Sequence, residues 1–342
     1  MPFSEIFGQA QALGQLNQAL QAGRLAHAYL FEGPEGVGKS LAARALARML
    51  LCRWKGACSM CETCRLILED AHPWVRFYRL SRGSRNIGVD VVRDDLIPFL
   101  SLRSAPGEYK IAVVDPADAL SEDAANMLLK TLEEPGRWSL VVLVAASAQA
   151  LIPTVRSRCQ LVRFARIPEH LIAEQVMRRT GAGSGHARVV ARLSGGSMGR
   201  ALELAGSDFA AWRERVIDQF AEVLAGKADP MEGAGKLLAI AAEGSKGLQE
   251  RRVGLQHALD LLLTYLRDLL VAREGTHLHL LNEDRPGVGR ESAVLSEEEL
   301  LDVFDRVFQA KSDIDANVNP QIAFEEFCMD ASRAAEGKAA ND

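Results

Sequence analysis

The sequence predicts a parallel α/β domain followed by a remainder that is helical throughout. Three observations predict it. Short apolar, β-rich runs alternate with helix-like stretches over the first half of the chain. One of those runs leads straight into a glycine-rich loop. After Pro168 the strand signals stop. Apolar strands separated by helices point to a parallel sheet covered on both faces.

In chain order, residues 9–21 carry helical periodicity and residues 28–31 form the first strand. Gly33-Pro34-Glu35-Gly36-Val37-Gly38-Lys39-Ser40 comes next, followed by an alanine- and leucine-rich helix over 41–51. This is a Gly-x4-Gly-Lys-Ser phosphate loop in the strand–loop–helix setting it requires. Glycines let successive N–H groups curl around a phosphate, and the following helix N-terminus favours negative charge. Gly33, Gly36 and Gly38 then form the cradle, Lys39 reaches the β/γ-phosphates, and the Ser40 hydroxyl binds Mg²⁺. A glycine-rich turn with an incidental lysine is the alternative, and it leaves both flanks unexplained.

A cysteine cluster follows. Cys58-x2-Cys61-x2-Cys64 is compact, and Cys52 lies six residues upstream. Two-residue gaps let one loop present pairs of sulfurs, and four thiolates close a tetrahedral zinc site. With every position taken by protein, such a site is structural and lends folding energy to a short polar insertion. His72 is an alternative fourth ligand, and scattered free thiols are the plainer reading. Cys159 and Cys328 stand alone and read as small buried apolar residues.

Further strands are expected over 75–80, 111–114, 140–145 and 161–164, with helices over 89–100 and 124–132. Asp115 ends the strand over 111–114 and is a second Mg²⁺ ligand in this build, direct or through water. The plainer reading makes it a helix cap. In many ATPases a glutamate follows that aspartate and polarises the attacking water. Pro116 stands there instead and offers no carboxylate, with Asp118 the nearest substitute. Nucleotide binding is expected; efficient hydrolysis by this chain is not.

Short helices over 169–204 are broken at 181–185 and again at Gly195-Gly196-Ser197. Beyond Asp208 the chain is helical nearly throughout. Leu255, Leu259, Leu262, Leu263, Leu266, Leu269 and Leu270 recur at three-and-four spacing, which gives that helix one broad buried face. Residues 282–289, with Pro286-Gly287, read as a loop, 297–310 as a helix and 336–342 as a frayed polar tail. His277 and His279 lack a third partner and read as surface residues.

The 342 residues correspond to two or three domains, and 48% hydrophobic with 25% charged residues is ordinary globular composition. A net charge of −5 argues against a protein that coats nucleic acid. No run is long enough to span a membrane, and the N-terminus lacks a secretory pattern, so a reducing cytoplasmic setting is expected.

In this order the pieces resemble the clamp-loader subunits of bacterial DNA polymerase III, which are AAA+ ATPases. The carrying residues begin with Gly8-Gln9 and with His27-Ala28-Tyr29-Leu30-Phe31 before the phosphate loop. The cysteines follow inside the nucleotide domain. Then come Asn126-Met127-Leu128-Leu129-Lys130-Thr131-Leu132-Glu133-Glu134-Pro135 and Arg156-Ser157-Arg158-Cys159. The resemblance is strong from Phe3 to about Ala205 and looser through Asn317-Val318-Asn319-Pro320.

The resemblance implies three domains: an AAA+ P-loop domain over 1–166 with a zinc module at 52–64, a helical lid over 167–206, and an all-α collar over 207–335. It implies that Arg158 is an arginine finger inserted in trans against the ATP of a neighbouring motor subunit. Arg200, in Gly196-Ser197-Met198-Gly199-Arg200, matches the lid arginine that contacts nucleotide in cis. Ser147 is the polar candidate for the sensor at the end of the fourth strand. Motor members carry Asp-Glu-x-His where this chain has Asp115-Pro116-Ala117-Asp118, so the resemblance is to a non-motor member. Some non-motor members have degenerate phosphate loops, whereas this one is intact.

The implied function is to help a loader open a sliding clamp and place it on primer–template DNA, with ATP, Mg²⁺ and Zn²⁺ as cofactors. The implied partners are tau/gamma motor subunits, delta, the clamp and DNA. An active motor subunit of the same loader is one alternative. A stand-alone P-loop kinase or hydrolase with a zinc clip is the other.

Overall fold

A computed structural model describes residues 3–339, except 4, 55, 82, 83, 85, 106, 207, 246, 276–279, 283, 284, 286 and 317. The readings of His277, His279, Pro286, Asn317 and the last three residues lie outside that set. The chain divides into two compact units. The first is Met1–Ile172 with Gly195–Arg200, and the second is Ala173–Ser194 with Ala201–Asp342.

The first unit is built on five parallel strands: β1 (Ala28–Glu32), β2 (Val75–Tyr78), β3 (Lys110–Val114), β4 (Ser139–Ala145) and β5 (Gln160–Arg163). Their order across the sheet is β2-β3-β4-β1-β5. The three inner strands β1, β3 and β4 are buried on both faces, which is why their sequence runs are almost continuously apolar, whereas the edge strands β2 and β5 expose Arg76, Gln160 and Arg163. Tyr29, Phe31, Ile111, Val113, Val142 and Val144 build the core on one side. Leu30, Ala112, Val114, Val141, Leu143 and Ala145 build it on the other. This is the α/β phosphate-loop architecture the sequence predicts.

The helices of this unit are α1 (Ala10–Gln21), α2 (Lys39–Leu51), α3 (Glu62–Leu68), α4 (Val89–Val91), α5 (Ile97–Ser101), α6 (Glu122–Glu133) and α7 (Pro153–Arg156). In α2, Ala42, Ala43, Ala45 and Ala47 are all buried, so a chain of small side chains lies close against its neighbours. Between α4 and α5 the turns widen into a π-helical segment, Val92–Leu96. Pro98 lacks the N–H that a regular helix would use here, which accounts for a break in an otherwise single helix. Ser121 caps α6 by accepting the Ala124 N–H. Helices α8 (Glu169–Thr180) and α10 (Met198–Leu204) each have residues in both units, with α9 (Ser184–Leu193) between them.

The second unit is wholly helical among its described residues. Its long elements are α11 (Phe209–Leu224), α12 (Pro230–Ala241), α13 (Leu248–Glu274), α15 (Glu297–Asp315) and α16 (Pro320–Ala339), with the single turn α14 (Val288–Glu291). On α13, Leu255, Leu259, Leu262, Leu266 and Leu269 are buried as the spacing predicts, Tyr265 joins them, and Leu263 and Leu270 are half-buried. That face packs on α15, while α12 packs on α16. Phe324 and Phe327 pack with centroids 5.0 Å apart and their rings tilted by 59°, and Phe220 meets Phe327 edge-on. The backbone at 336–339, expected to fray, continues as the end of α16. No described helix is long and apolar enough to cross a membrane.

Candidate functional site

The phosphate loop joins the C-terminal end of β1 to α2. Gly33, Gly36 and Gly38 all have positive φ, at +151°, +71° and +105°. A Cβ on Gly33 would lie 2.2 Å from the Phe164 carbonyl oxygen, and one on Gly36 would lie 2.1 Å from Ser197 Oγ. The glycines are thus required by close approach as well as by conformation. Lys39 is 8% exposed, and its ammonium donates to the Gly33 and Pro34 carbonyls at 2.5 and 2.6 Å. Burial holds its pKa below the usual lysine range, against the opposing pull of Asp115, Glu35 and Asp118.

Ser40 Oγ donates directly to Asp115 Oδ2, so the hydroxyl and the carboxylate read as Mg²⁺ ligands lie together. Both oxygens are hard donors of the kind Mg²⁺ takes. A cavity of about 500 Å³ opens beside them, lined by Glu35, Lys39, Asn86, Asp115, Asp118 and Ala146 among others. Asp118 lies on a 3₁₀ turn, Ala117–Ala119, and its Oδ2 accepts the Ala146 N–H at 3.3 Å. Ser147 does something else: it caps the turn Ala148–Ala150 and bonds Gln149, and it does not line the cavity.

Two further segments of the same unit close on the loop. Gly199 N–H donates to the Gly36 carbonyl at 3.1 Å, and Arg200 N–H donates to Ser197 Oγ at 3.2 Å. This sets Arg200 one residue from a direct bond to the phosphate loop. Gln9, 3% exposed, exchanges two hydrogen bonds with the Ala165 backbone at 2.7 and 3.0 Å. Its amide also faces the Val37 carbonyl at 3.4 Å. Gln9 thus ties the loop to the chain after β5.

Arg158 is not at this cavity. It follows α7, where its Nη1 donates to the Thr154 carbonyl at 2.9 Å and its Nη2 is paired with Glu133 at the end of α6. Its side chain is 34% exposed. Cys159 beside it is shielded, and burial pushes its thiol up to about 12.

The sulfurs of Cys52, Cys58, Cys61 and Cys64 all lie within 4.8 Å of one another. Cys52 Sγ is 3.7 Å from Cys58 Sγ and 3.9 Å from Cys61 Sγ. For metal–sulfur bonds of about 2.3 Å a tetrahedron has edges of about 3.8 Å, so the spacing fits four-thiolate coordination. Cys61 N–H points at Cys58 Sγ and Cys64 N–H at Cys61 Sγ, at 3.3 and 3.4 Å, as thiolates require. Burial opposes ionisation of Cys52, yet N–H groups of Cys58, Gly56 and Trp54 outweigh it and draw its pKa down. Arg48, 3% exposed, donates to the Ala57 carbonyl at 3.1 Å and to Ser59 Oγ, which fixes the cysteine-bearing loop on α2. His72 is not in the cluster; its Nδ1 accepts the Trp74 N–H at 3.2 Å.

Residues 8–168 match a protein-family model described as DNA polymerase III, delta subunit. The chain is 39% identical over 137 residues to DNA polymerase III subunit delta' of Pseudomonas aeruginosa, a match covering 39% of this chain and 42% of that protein. It is 28% identical over 318 residues to subunit delta' of Bacillus subtilis, covering 92% of this chain and 93% of that one. It is 30% identical over 238 residues to subunit tau of Escherichia coli, covering 66% of this chain and 36% of that protein.

Proposed function

We propose, from its similarity to the delta' subunits of DNA polymerase III, that the chain is a clamp-loader subunit. In this reading it helps a hetero-oligomeric loader in the cytoplasm place the sliding clamp on primed DNA. It binds ATP and donates Arg158 to a neighbouring tau/gamma motor subunit. Delta, the clamp and primer–template DNA are the other partners. Residues 1–166 act as the AAA+ domain, 167–206 as the lid and 207–335 as the collar. The similarity to a delta' subunit along 92% of the chain is the observation that carries this reading.

Gly33, Gly36, Gly38, Lys39, Ser40 and Asp115 would hold ATP–Mg²⁺, with Arg200 over the phosphates. Bound nucleotide would supply a γ-phosphate that orders the loop and the segment carrying Arg200. This chain's own residues shape the site: Lys39 keeps a buried cation at the loop, and Gln9 and Gly33 seat the loop against the chain after β5. Pro116 offers no base, which supports a held or slowly hydrolysed nucleotide. Cys52, Cys58, Cys61 and Cys64 would hold Zn²⁺ as a structural ion, since the four thiols leave no position for water. Arg158, away from the chain's own cavity and paired at the surface, is suited to act on a neighbour's nucleotide, where a planar guanidinium neutralises charge on the γ-phosphoryl group.

A second reading, a motor subunit that hydrolyses ATP itself, is favoured by one observation: Asp118 lines the same cavity as Lys39 and Asp115. Clamp- and DNA-stimulated ATP turnover of the assembled loader separates the two. A large loss from Arg158→Ala with a small loss from Lys39→Ala is the expected result. Comparable losses would make the chain a motor. No effect from either would overturn the clamp-loader assignment.

A further inference from the structure

Two stretches of sequence that stand far apart in the chain meet at one guanidinium. Glu133 ends α6, and Arg158 follows α7, which packs against α6. The Arg158 guanidinium is held from two sides. Nη2 is paired with Glu133 Oε1, and Nη1 donates to the Thr154 carbonyl at 2.9 Å, with Ser157 Oγ at 3.4 Å. A guanidinium carries five N–H donors in one rigid plane. These three contacts leave Nε–H and one hydrogen on Nη2 for a phosphate.

We infer that Glu133 is the positioning residue for Arg158, fixing the plane of the guanidinium before a neighbouring subunit's nucleotide arrives. The inference rests on the proposed reading in which Arg158 is a finger donated in trans. An unanchored arginine on a surface turn samples many rotamers, and each must be given up when the phosphate is engaged. An anchored one has surrendered that freedom already, and small errors of placement at a reacting centre are costly. Glu133 is itself 49% exposed, so its carboxylate holds no core contact together. An ion pair this open to water adds little to stability. Its consequence is where the guanidinium points.

The test is ATP turnover of the assembled loader with primed DNA and clamp, for Glu133→Gln, Glu133→Asp, Arg158→Ala and Glu133→Gln with Arg158→Ala. Glutamine keeps the shape and one acceptor oxygen but loses the charge. Glu133→Gln should lower kcat about two- to fivefold, the range open to an exposed ion pair. The KM for ATP and the thermal midpoint of the full chain should stay at wild-type values, and Glu133→Asp should recover part of the loss. In the Arg158→Ala background Glu133→Gln should cost nothing further, because the two residues act as one.

Unchanged kcat in Glu133→Gln beside a large loss in Arg158→Ala overturns the inference and leaves the finger standing. An equal loss in the Arg158→Ala background overturns it too, since Glu133 would then act elsewhere. A raised kcat overturns it by showing that the pair restrains the finger. If Arg158→Ala leaves turnover untouched, the finger reading itself falls.

Discussion

Replacing Gly33 by alanine tests the geometry of the phosphate loop most directly. At φ +151° an L side chain is strained, and the new Cβ would lie 2.2 Å from the backbone oxygen of Phe164. Backbone cannot rotate aside as a side chain can, so the loop and the chain after β5 must part by about 1 Å. Parting them stretches the Phe164 N–H to Glu32 carbonyl bond, now 2.7 Å, and the 3.3 Å bond from Gly33 N–H to Ala145. Strain of about 1–2 kcal/mol and one or two weakened hydrogen bonds at about 1 kcal/mol each sum to a loss of about 2–4 kcal/mol. The Gly33 carbonyl also accepts from Lys39, so the same shift misplaces the ammonium, and affinity for ATP should fall about tenfold or more. Urea unfolding and titration with a fluorescent ATP analogue measure the two effects. Gly14→Ala, in α1 with nothing within 4 Å of the added Cβ, is the control and should stabilise by about 0.5–1 kcal/mol. Should Gly33→Ala unfold within about 0.5 kcal/mol of wild type, the loop is not wedged against the chain after β5 and the reasoning fails.

Cys64→Ser should abolish stoichiometric zinc binding and lower the thermal midpoint, because a fully buried ligand of a four-thiol set has no substitute nearby; metal analysis of the purified chain and a melting curve read both. Asp268→Asn should destabilise by about 2–4 kcal/mol by setting an amide against buried donors. That carboxylate, 0% exposed, accepts from Leu281 N, Asn282 N and Asn282 Nδ2 at 2.9, 2.7 and 2.8 Å, and denaturant midpoints would show the change. Burial pushes the Cys328 thiol from 9.0 up to about 12, so the folded chain holds this proton more tightly than the unfolded one. The stability it contributes is intact below about pH 9 and is lost as pH rises from there toward 12. Unfolding curves at neutral and alkaline pH should therefore diverge less for Cys328→Ala than for wild type.

Much of the candidate site is legible locally. The loop from Gly33 to Ser40 announces itself because the chemistry of a phosphate cradle is written in consecutive residues, and Asp115 because it terminates a wholly apolar strand. The four cysteines are legible for the same reason: one short loop supplies all the sulfurs. Pro116 alone indicates that the usual base is missing. At Ser147 the pattern does not decide, since a serine after a strand serves as well for capping a 3₁₀ turn as for facing a nucleotide; the backbone path shows the cap. The expected frayed end at 336–339 misleads, because polar residues extend a helix once its earlier turns are packed.

The sequence by itself determined the parallel α/β class, the phosphate loop, the thiol cluster and the helical remainder, because each depends on periodicity or on groups a few residues apart. Only the tertiary structure decided which residues support them. Gln9 meets Ala165 across 156 residues, and Arg158 meets Glu133 across 25. Gly195–Arg200 belongs with the unit that holds the phosphate loop, not with the helices on either side of it. Asp268 on α13 clamps the loop that contains Asn282. Nothing in the local pattern marks these partners, because a glutamine at a helix start, or an aspartate or glutamate on a helix, is as soluble as it is pairable. Which it becomes is set by what the closed sheet and the packed helices bring within hydrogen-bond reach, where a buried polar group left without a partner would be costly.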